Sequence, residues 1–351
     1  MHLTAMARTR IGIINVTGYI GADLARILFR HPQVEVACVT GRSAAGSRLL
    51  DVFPHLNAAD MVISPELDVP VDVVFSAMPH KASAEACEPL VARGLRVIDV
   101  SADFRLKSRD EYESWYGVQH PCPHLLASAV YGLPEIHHED IRNARLVANP
   151  GCYPTGALLA LAPALAAGVV EGDIIIDSKS GVSGAGRSLT LNTHFAECNE
   201  SVSAYAVEGH RHMPEIRQEC RLLSDKVTEL LFLPHLIPMT RGILSSCYSK
   251  ASALWLGHAG DPRAALVDMY REFYRDSPFV RVVAAPPATK HVWGSNYCHV
   301  YPTFDERTGR LLVISAIDNL VRGGAGEAVQ NMNLMLGFDE TCGLESLPVF
   351  P

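Results

Sequence analysis

The first hundred residues alternate short β-branched runs with helical stretches, and this alternation constrains the fold more than any other feature of the chain. The runs RIGIIN (10–15), VEVACVT (34–40), VDVVFSA (71–77) and LRVIDVS (95–101) are apolar almost throughout, not at every second position. Strands of that kind are buried on both faces. Helical stretches near 19–30 and 81–92 separate them, so the pattern predicts a parallel sheet covered on each side, a Rossmann-type doubly wound α/β domain.

Beyond a helix that begins near residue 154 the pattern changes. GDIIIDSKSG (172–181), TELLFLPHLIP (228–238), GILSSCYSKA (242–251), VRVVAA (280–285), YCHVYPTFD (297–305) and RLLVISAIDN (310–319) are longer strands with fewer helices between them. They predict an α+β domain with a large mixed sheet, covered by helices near 212–224 and 262–276. A chain of 351 residues accommodates two cores. The expected division is a nucleotide-binding domain, residues 1–150 joined by the C-terminal helix and tail 323–351, and a catalytic and oligomerisation domain, residues 151–322.

Composition excludes several classes. The net charge of −8 provides no basic field to draw in nucleic acid. No apolar run reaches the ~18 residues of a membrane span. MHLTAMARTR is too short and too polar in its second half for a signal peptide, so a cytoplasmic protein is expected. The nine cysteines are odd in number and contain no CxxC pair; they read as reduced thiols, most of them packing residues.

The turn after the first strand, INVTGYIGADLARILFR (14–30), carries Gly18 and Gly21 three apart. Missing side chains there let backbone N–H groups approach a pyrophosphate at a helix N-terminus. Asn15 stands where a glycine commonly opens such a loop, and asparagine tolerates positive φ better than most residues. After the second strand, VTGRSAAGSR (39–48) offers Thr40, Arg42 and Ser43 and no acid. An acid would bind the ribose 2′-hydroxyl of NAD, whereas arginine and hydroxyls suit a 2′-phosphate. The reading therefore favours NADP. SAMPH (76–80) ends the third strand with Pro79 at a helix start.

ANPGCYPT (148–155) places Cys152 two residues before Pro154, and proline favours the first helical turn. A sulfur at a helix N-terminus is stabilised as thiolate. YAVEGHRHMPEIRQE (205–219) supplies His210 and His212 just before another helix. The pair suits acid–base work beside a thiol; as metal ligands the two lack an obvious third partner, so no metal is expected. SGVSGAGRS (180–188) and DNLVRGGAGEAVQNMN (318–333) are glycine-rich segments that permit close backbone approach to a ligand.

Together TGYIG, SADFRL, VYGLPE, ANPGCYPT, SGAGR, HRHMPEI and NLVRGGAGEAVQN resemble, in order and over nearly the whole chain, the N-acetyl-gamma-glutamyl-phosphate reductases of the aspartate-semialdehyde dehydrogenase-like group. The resemblance implies reduction of an acyl phosphate by NADPH through a thioester on Cys152, with His210 as acid–base and His212 as a substrate or orienting contact. It implies that Thr17, Gly18, Tyr19, Ile20, Gly21, Arg42 and Ser43 hold the adenosine and pyrophosphate end of NADP, with Pro79, Ser183 and Asn319 nearer the nicotinamide. Arg105, Arg187 and Arg211 become the candidates for the substrate's carboxylate and phosphate. A homodimer or homotetramer built on the second sheet is expected. The alternative within the same chemistry is a reductase for the one-carbon-longer aminoadipyl phosphate of a carrier-linked lysine pathway; outside it stand a Cys-His acyl transferase and a non-catalytic NADP sensor.

Overall fold

The computed structural model describes residues 8–57 and 61–351; most of the MHLTAMARTR stretch read above lies outside them. The chain forms two compact units, one of residues up to 109 with 119–149 and 325–345, the other of 110–118, 150–324 and 346–351. The division expected from sequence ran continuously to 150 and resumed at 323. Residues 110–118 and 346–351 instead group with the second unit.

In the first unit β1 (Thr9–Ile14), β2 (Val34–Val39), β3 (Val73–Ser76), β4 (Arg96–Asp99), β5 (Val130–Tyr131) and β6 (Leu146–Ala148) form one sheet in the order β2-β1-β3-β4-β6-β5. Every pair is parallel. β3 and β6 are buried at every position, as unbroken apolar runs require. The helix Tyr19–Leu28 buries seven of its ten residues. The C-terminal helix Gly326–Leu336 buries Gly326 to Met335 and stops at Gly337, whose φ of 70° is the left-handed cap that glycine adopts without strain. Its buried amides find partners: Asn331 Nδ2 donates to the carbonyl of Gly132 and to Asn149 Oδ1, and Asn333 Oδ1 meets His31 Nε2 at 3.0 Å.

The second unit holds β7 (Val170–Gly181), β8 (Ser203–Ala204), β9 (Val227–Ile237), β10 (Ile243–Ala251), β11 (Val280–Val282), β12 (Cys298–Asp305) and β13 (Arg310–Ile317), in the order β11-β12-β13-β10-β7-β9-β8. The sheet is mixed: β7 with β9 and β11 with β12 run parallel, the other pairs antiparallel. Three helices pack against it: Cys152–Ala166, Met213–Leu223 and Pro262–Phe273. Cys152–Ala166 is buried from Tyr153 to Leu165, as a helix apolar all round must be. Tyr270 and Tyr274 donate to the carbonyls of Ala160 and Leu159, and Ser315 donates to that of Gly156. On the strand β7, Ile174, Ile176, Ser178 and Ser180 are buried while Ile175 between them is 39 % exposed. Among the described residues, no helix is long and apolar enough to cross a membrane, and all nine cysteines are free thiols.

Candidate active site

The first unit carries a cavity of about 650 Å³ at the ends of β1, β2 and β3. Asn15, the departure from a glycine opening, takes φ 65°. Its Nδ2 donates to the carbonyl of Ala77 at 2.8 Å, its Oδ1 accepts from Thr17 Oγ1, and its own N–H donates to Thr40 Oγ1. One asparagine therefore ties together the residues that follow three adjacent strands, which a glycine cannot do. Gly21 has no room for a side chain: a Cβ there would lie 2.5 Å from the Asn15 oxygen, so the helix start packs directly on the turn. Gly18, the N-cap, faces open space with nothing within 4 Å.

Arg42, Ser43 and Pro79 line this cavity with Asn15 and Thr40. Thr17, Gly18, Tyr19, Ile20 and Gly21 form the turn and helix start that follow Asn15. Glu66 and Glu85 also line it, but the segment leaving β2 carries Thr40, Gly41 and Arg42 and no acid. Glycine-bare backbone, a helix N-terminus and an arginine beside hydroxyls fit a dinucleotide bearing a 2′-phosphate.

The second unit carries a cavity of about 370 Å³ lined by Cys152, Tyr153, Ser180, Tyr205, His210 and His212, among others. Cys152 is the first residue of its helix, with Pro154 third, inside the first turn. Gly151, extended at φ −72° and ψ 150°, is the N-cap, and its carbonyl accepts from the N–H and the hydroxyl of Thr155. A Cβ on Gly323, in the π-helical turn Val321–Ala325, would lie 2.7 Å from the Cβ of Cys152. Glycine at 323 therefore lets that turn close onto the thiol-bearing residue.

His210 sits edge-on against Tyr153, Tyr205, Phe232 and His212, with ring centroids 4.8–5.6 Å apart. Its Nδ1 accepts the backbone N–H of His212 at 3.1 Å. Burial, then the neighbouring Arg211 charge, push the imidazole down to about 4. At neutral pH it is uncharged, and with Nδ1 accepting, its proton sits on Nε2. Tyr205 donates to the Tyr153 hydroxyl at 3.0 Å, which donates on to the carbonyl of His235. Burial pushes the Tyr205 phenol up to about 12 and that of Tyr153 higher, so both remain donors.

The remaining sequence candidates are placed differently. Asn319 is fully buried, accepting from the Gly242 N–H at 2.7 Å and donating to Ser183 Oγ at 3.0 Å. The two brace the turn Val182–Ala185, whose Gly184 and Ala185 line the thiol cavity. Arg187 is exposed beyond that turn, and Arg211 is exposed with its guanidinium 5.8 Å from the Tyr116 ring. Arg105 is buried in the first unit, where Nε donates to the carbonyl of Asn149 and Nη2 to that of Val100. This bracing of the residues that follow β6 and β4 is a task its reading as a substrate contact did not include. Sequence reasoning passed over the Tyr153–Tyr205 hydroxyl pair, Glu215 and Gly323; the only hint was the clustering of these residues within the two motifs and the glycine-rich segment. Among the described residues, no group of three or more His, Cys, Asp or Glu is arranged to hold a metal ion.

Comparison with known proteins bears on both cavities. Residues 10–144 match the semialdehyde dehydrogenase NAD-binding domain and residues 152–319 the semialdehyde dehydrogenase dimerisation domain. A relative from Dehalococcoides mccartyi, named N-acetyl-gamma-glutamyl-phosphate reductase, is 52 % identical over 99 % of this chain and 100 % of its own. One of the same name from Desulforudis audaxviator is 48 % identical over 97 % and 98 %. Among solved structures, aspartate semialdehyde dehydrogenase II from Vibrio cholerae, complexed with ASA, superposes with a TM-score of 0.71 at 16 % identity, covering 94 % of this chain and 99 % of its own. The Candida albicans aspartate semialdehyde dehydrogenase with NADP gives 0.67 at 15 %, covering 94 % and 99 %. These likenesses show the fold.

Proposed function

Since this chain belongs to the N-acetyl-gamma-glutamyl-phosphate reductase family of semialdehyde dehydrogenases, we propose that it reduces N-acetyl-gamma-glutamyl phosphate to N-acetylglutamate 5-semialdehyde with release of inorganic phosphate, in arginine biosynthesis. The observation that carries this reading is Cys152 at a helix start, sharing one cavity with an uncharged His210 whose Nδ1 is already engaged.

The Cys152 sulfur attacks the acyl carbon, the carbon–oxygen bond to phosphate breaks, and phosphate leaves with that electron pair. The resulting thioester keeps the carbon electrophilic after phosphate has gone. NADPH, held by the first unit through Asn15, the Gly18–Gly21 turn, Arg42 and Ser43, supplies the hydride when bound. His210 serves the acyl oxygen: its Nε2–H hydrogen-bonds to that oxygen while negative charge sits there, and the charge passes to the sulfur when the substituted carbon expels thiolate and the aldehyde forms. An imidazole holding its proton on Nε2 is set to donate to oxygen, not to strip a proton from the thiol. The helix N-terminus serves the thiolate. The Tyr205–Tyr153 hydroxyl pair has both protons committed, to Tyr153 and to the His235 carbonyl, and so offers the Tyr205 oxygen as an acceptor at the wall, suited to an amide N–H of the substrate.

The same reading describes a cytoplasmic enzyme that does not bind nucleic acid and works as a homodimer or homotetramer. Leu231, Ile175, Tyr248 and Leu312 stand directly opposite one another across β9, β7, β10 and β13. None of the four is buried, and Leu231 is 55 % exposed. A continuous apolar row on a sheet face is a surface that a second copy covers.

Purified protein given N-acetylglutamate semialdehyde, phosphate and NADP produces NADPH absorbance, and omission of phosphate abolishes it. Robust turnover of the aminoadipate semialdehyde analogue with none of the glutamate compound would reverse the choice of substrate. Turnover without nicotinamide would point to acyl transfer instead.

A further inference from the structure

Glu215 has no part in the reaction as drawn, yet its side chain is buried to 1 % exposure. It is the third residue of the helix Met213–Leu223, whose N-cap is His212. A glutamate at that position commonly folds back to cap the N–H of its own N-cap residue. Here the His212 N–H donates to His210 Nδ1, and Glu215 Oε1 instead accepts the N–H of Gly151 at 2.8 Å, across 64 positions of sequence. Gly151 caps the helix that begins with Cys152.

The peptide units around Gly151 are therefore gripped from two sides. The N–H is taken by Glu215, and the carbonyl by the N–H and hydroxyl of Thr155 at 2.9 and 3.1 Å. Behind Cys152 there is no slack, because Gly323 leaves less than a methyl group's width against its Cα and Cβ. Tyr153, the next residue of the thiol helix, meets the segment that carries His210 by ring contact and through the Tyr205 hydroxyl, and the Glu215–Gly151 bond ties the main chain of the helix start to the helix that follows that segment.

We infer that Glu215 is a positioning residue. Through the Gly151 N–H it locks the start of the thiol helix to the helix that follows the His210–Arg211–His212 turn, so that sulfur and imidazole keep one separation throughout the cycle. The linked exchange, His212 N–H to His210 and Gly151 N–H to Glu215, makes the imidazole's tautomer and the thiol's placement properties of one hydrogen-bonded unit. This inference rests on Cys152 being the nucleophile and His210 the group that serves the acyl oxygen.

The test compares Glu215→Leu, which removes the acceptor at similar bulk, with Glu215→Gln, which keeps an acceptor oxygen at the same reach. In the phosphate-dependent assay Glu215→Leu lowers kcat about 100-fold, the scale of a displacement of roughly 1 Å, while KM for NADP stays within about two-fold. The rate of Cys152 alkylation by iodoacetamide, followed across the neutral range without substrate, changes about ten-fold, on the same reasoning that access and environment control a thiol's reactivity. Glu215→Gln restores both values to within about three-fold of the parent. If the leucine variant fails to fold, Glu215→Asp, shorter by one methylene, carries the same expectation. A kcat for Glu215→Leu within about three-fold of the parent when normalised to folded protein, or glutamine no better than leucine, overturns the inference. Activity persisting in Cys152→Ala would sink the reading of the nucleophile itself; an inactive Cys152→Ala beside an active Glu215→Leu sinks only the role of Glu215.

Discussion

The two cavities are built by different means. The nucleotide cavity sits at the ends of neighbouring parallel strands, where Asn15, Thr40 and Ala77 each follow their strand and one asparagine links all three. Main chain and glycine build the turn beside it, where Gly21 admits no side chain, while Arg42, Glu66 and Met78 are among the side chains on its wall. The thiol cavity draws on separate stretches around 152, 180–193, 203–212 and 236, and specific side chains with specific protons define it. A site made of backbone tolerates substitution wherever no Cβ intrudes. A site made of side chains depends on bonds that span tens of residues.

Burial also acts on the two units in opposite directions. In the first, the fully buried Asp99 is pushed up to about 6 by desolvation and then by Asp103, even though Ser83 and Ser101 donate to it. In the second, desolvation pushes His210 down to about 4. Each shift disfavours the charged form, and the consequences for stability have opposite sign.

The sharpest way to break this contrast is to remove one chemical group from each cavity. Cys152→Ser should lower phosphate-dependent turnover by about four orders of magnitude or more, as loss of a nucleophile does, with the dissociation constant for NADP unchanged in a fluorescence titration. Arg42→Ala should do the reverse, weakening NADP about 10- to 100-fold, the worth of one charged hydrogen-bonded contact, with NAD affinity and iodoacetamide labelling of Cys152 unaltered. Cys152→Ser that turns over, or Arg42→Ala that weakens NAD as much as NADP, would erase the distinction drawn here.

A smaller effect separates two glycines in one turn. Gly21→Ala places a methyl group against the Asn15 carbonyl oxygen and the Val16 backbone, neither of which can step aside. It should cost about 1–3 kcal/mol, the usual cost of overpacking, read as a lower Tm. Gly18→Ala meets nothing within 4 Å and should leave Tm nearly unchanged. Equal losses at both positions would mean that the turn is not the backbone-built cradle described.

The smallest net effect is that of pH, because the two units oppose each other. Asp99 has a folded value above its ordinary 3.8, so its contribution to stability is complete below 3.8 and is lost as pH rises through about 6. His210 has a folded value below its ordinary 6.5, so its contribution is complete above 6.5 and is lost as pH falls towards about 4. Between pH 4 and 6 the first unit gains on acidification while the second loses. Melting curves of Asp99→Asn should show stability falling more steeply with acid than in the parent; an unchanged slope would remove Asp99 from the balance.

How much of this the sequence discloses follows the same divide. β1 to β4 are visible as β-branched runs, and the Gly18–Gly21 turn and Arg42 are local patterns that place themselves once the strands are known. β5 and β8, two residues each, and β6, three, are too short to show a period, and they are defined by their neighbours: β6 lies between β4 and β5, while β5 and β8 are edge strands on β6 and β9. Cys152 is legible because glycine before it and proline after it mark a helix start. Glu215 is not: nothing within HRHMPEI says that its carboxyl will leave its own helix for Gly151, because that bond exists only after two helices have packed. Asn319 and Ser183, which the resemblance puts nearer the nicotinamide, are bonded to each other through their side chains, a pairing across 136 positions that no local pattern announces. The same limit hides the apolar row across β9, β7, β10 and β13, since alternation reveals which residues share a face but not which strands lie side by side.

The helix that carries Cys152 has a further consequence during synthesis. It leaves the ribosome before any strand of the sheet that covers it, and the last strand to contact it, β13, ends at Ile317. At about 5–20 residues per second, the roughly 150 intervening residues take on the order of ten seconds to translate. Over that interval its native partners emerge one after another, and an apolar segment with no polar face of its own stays incompletely covered, so nascent chains halted early between these points should crosslink to holding chaperones through residues 153–165, and completed chains should not.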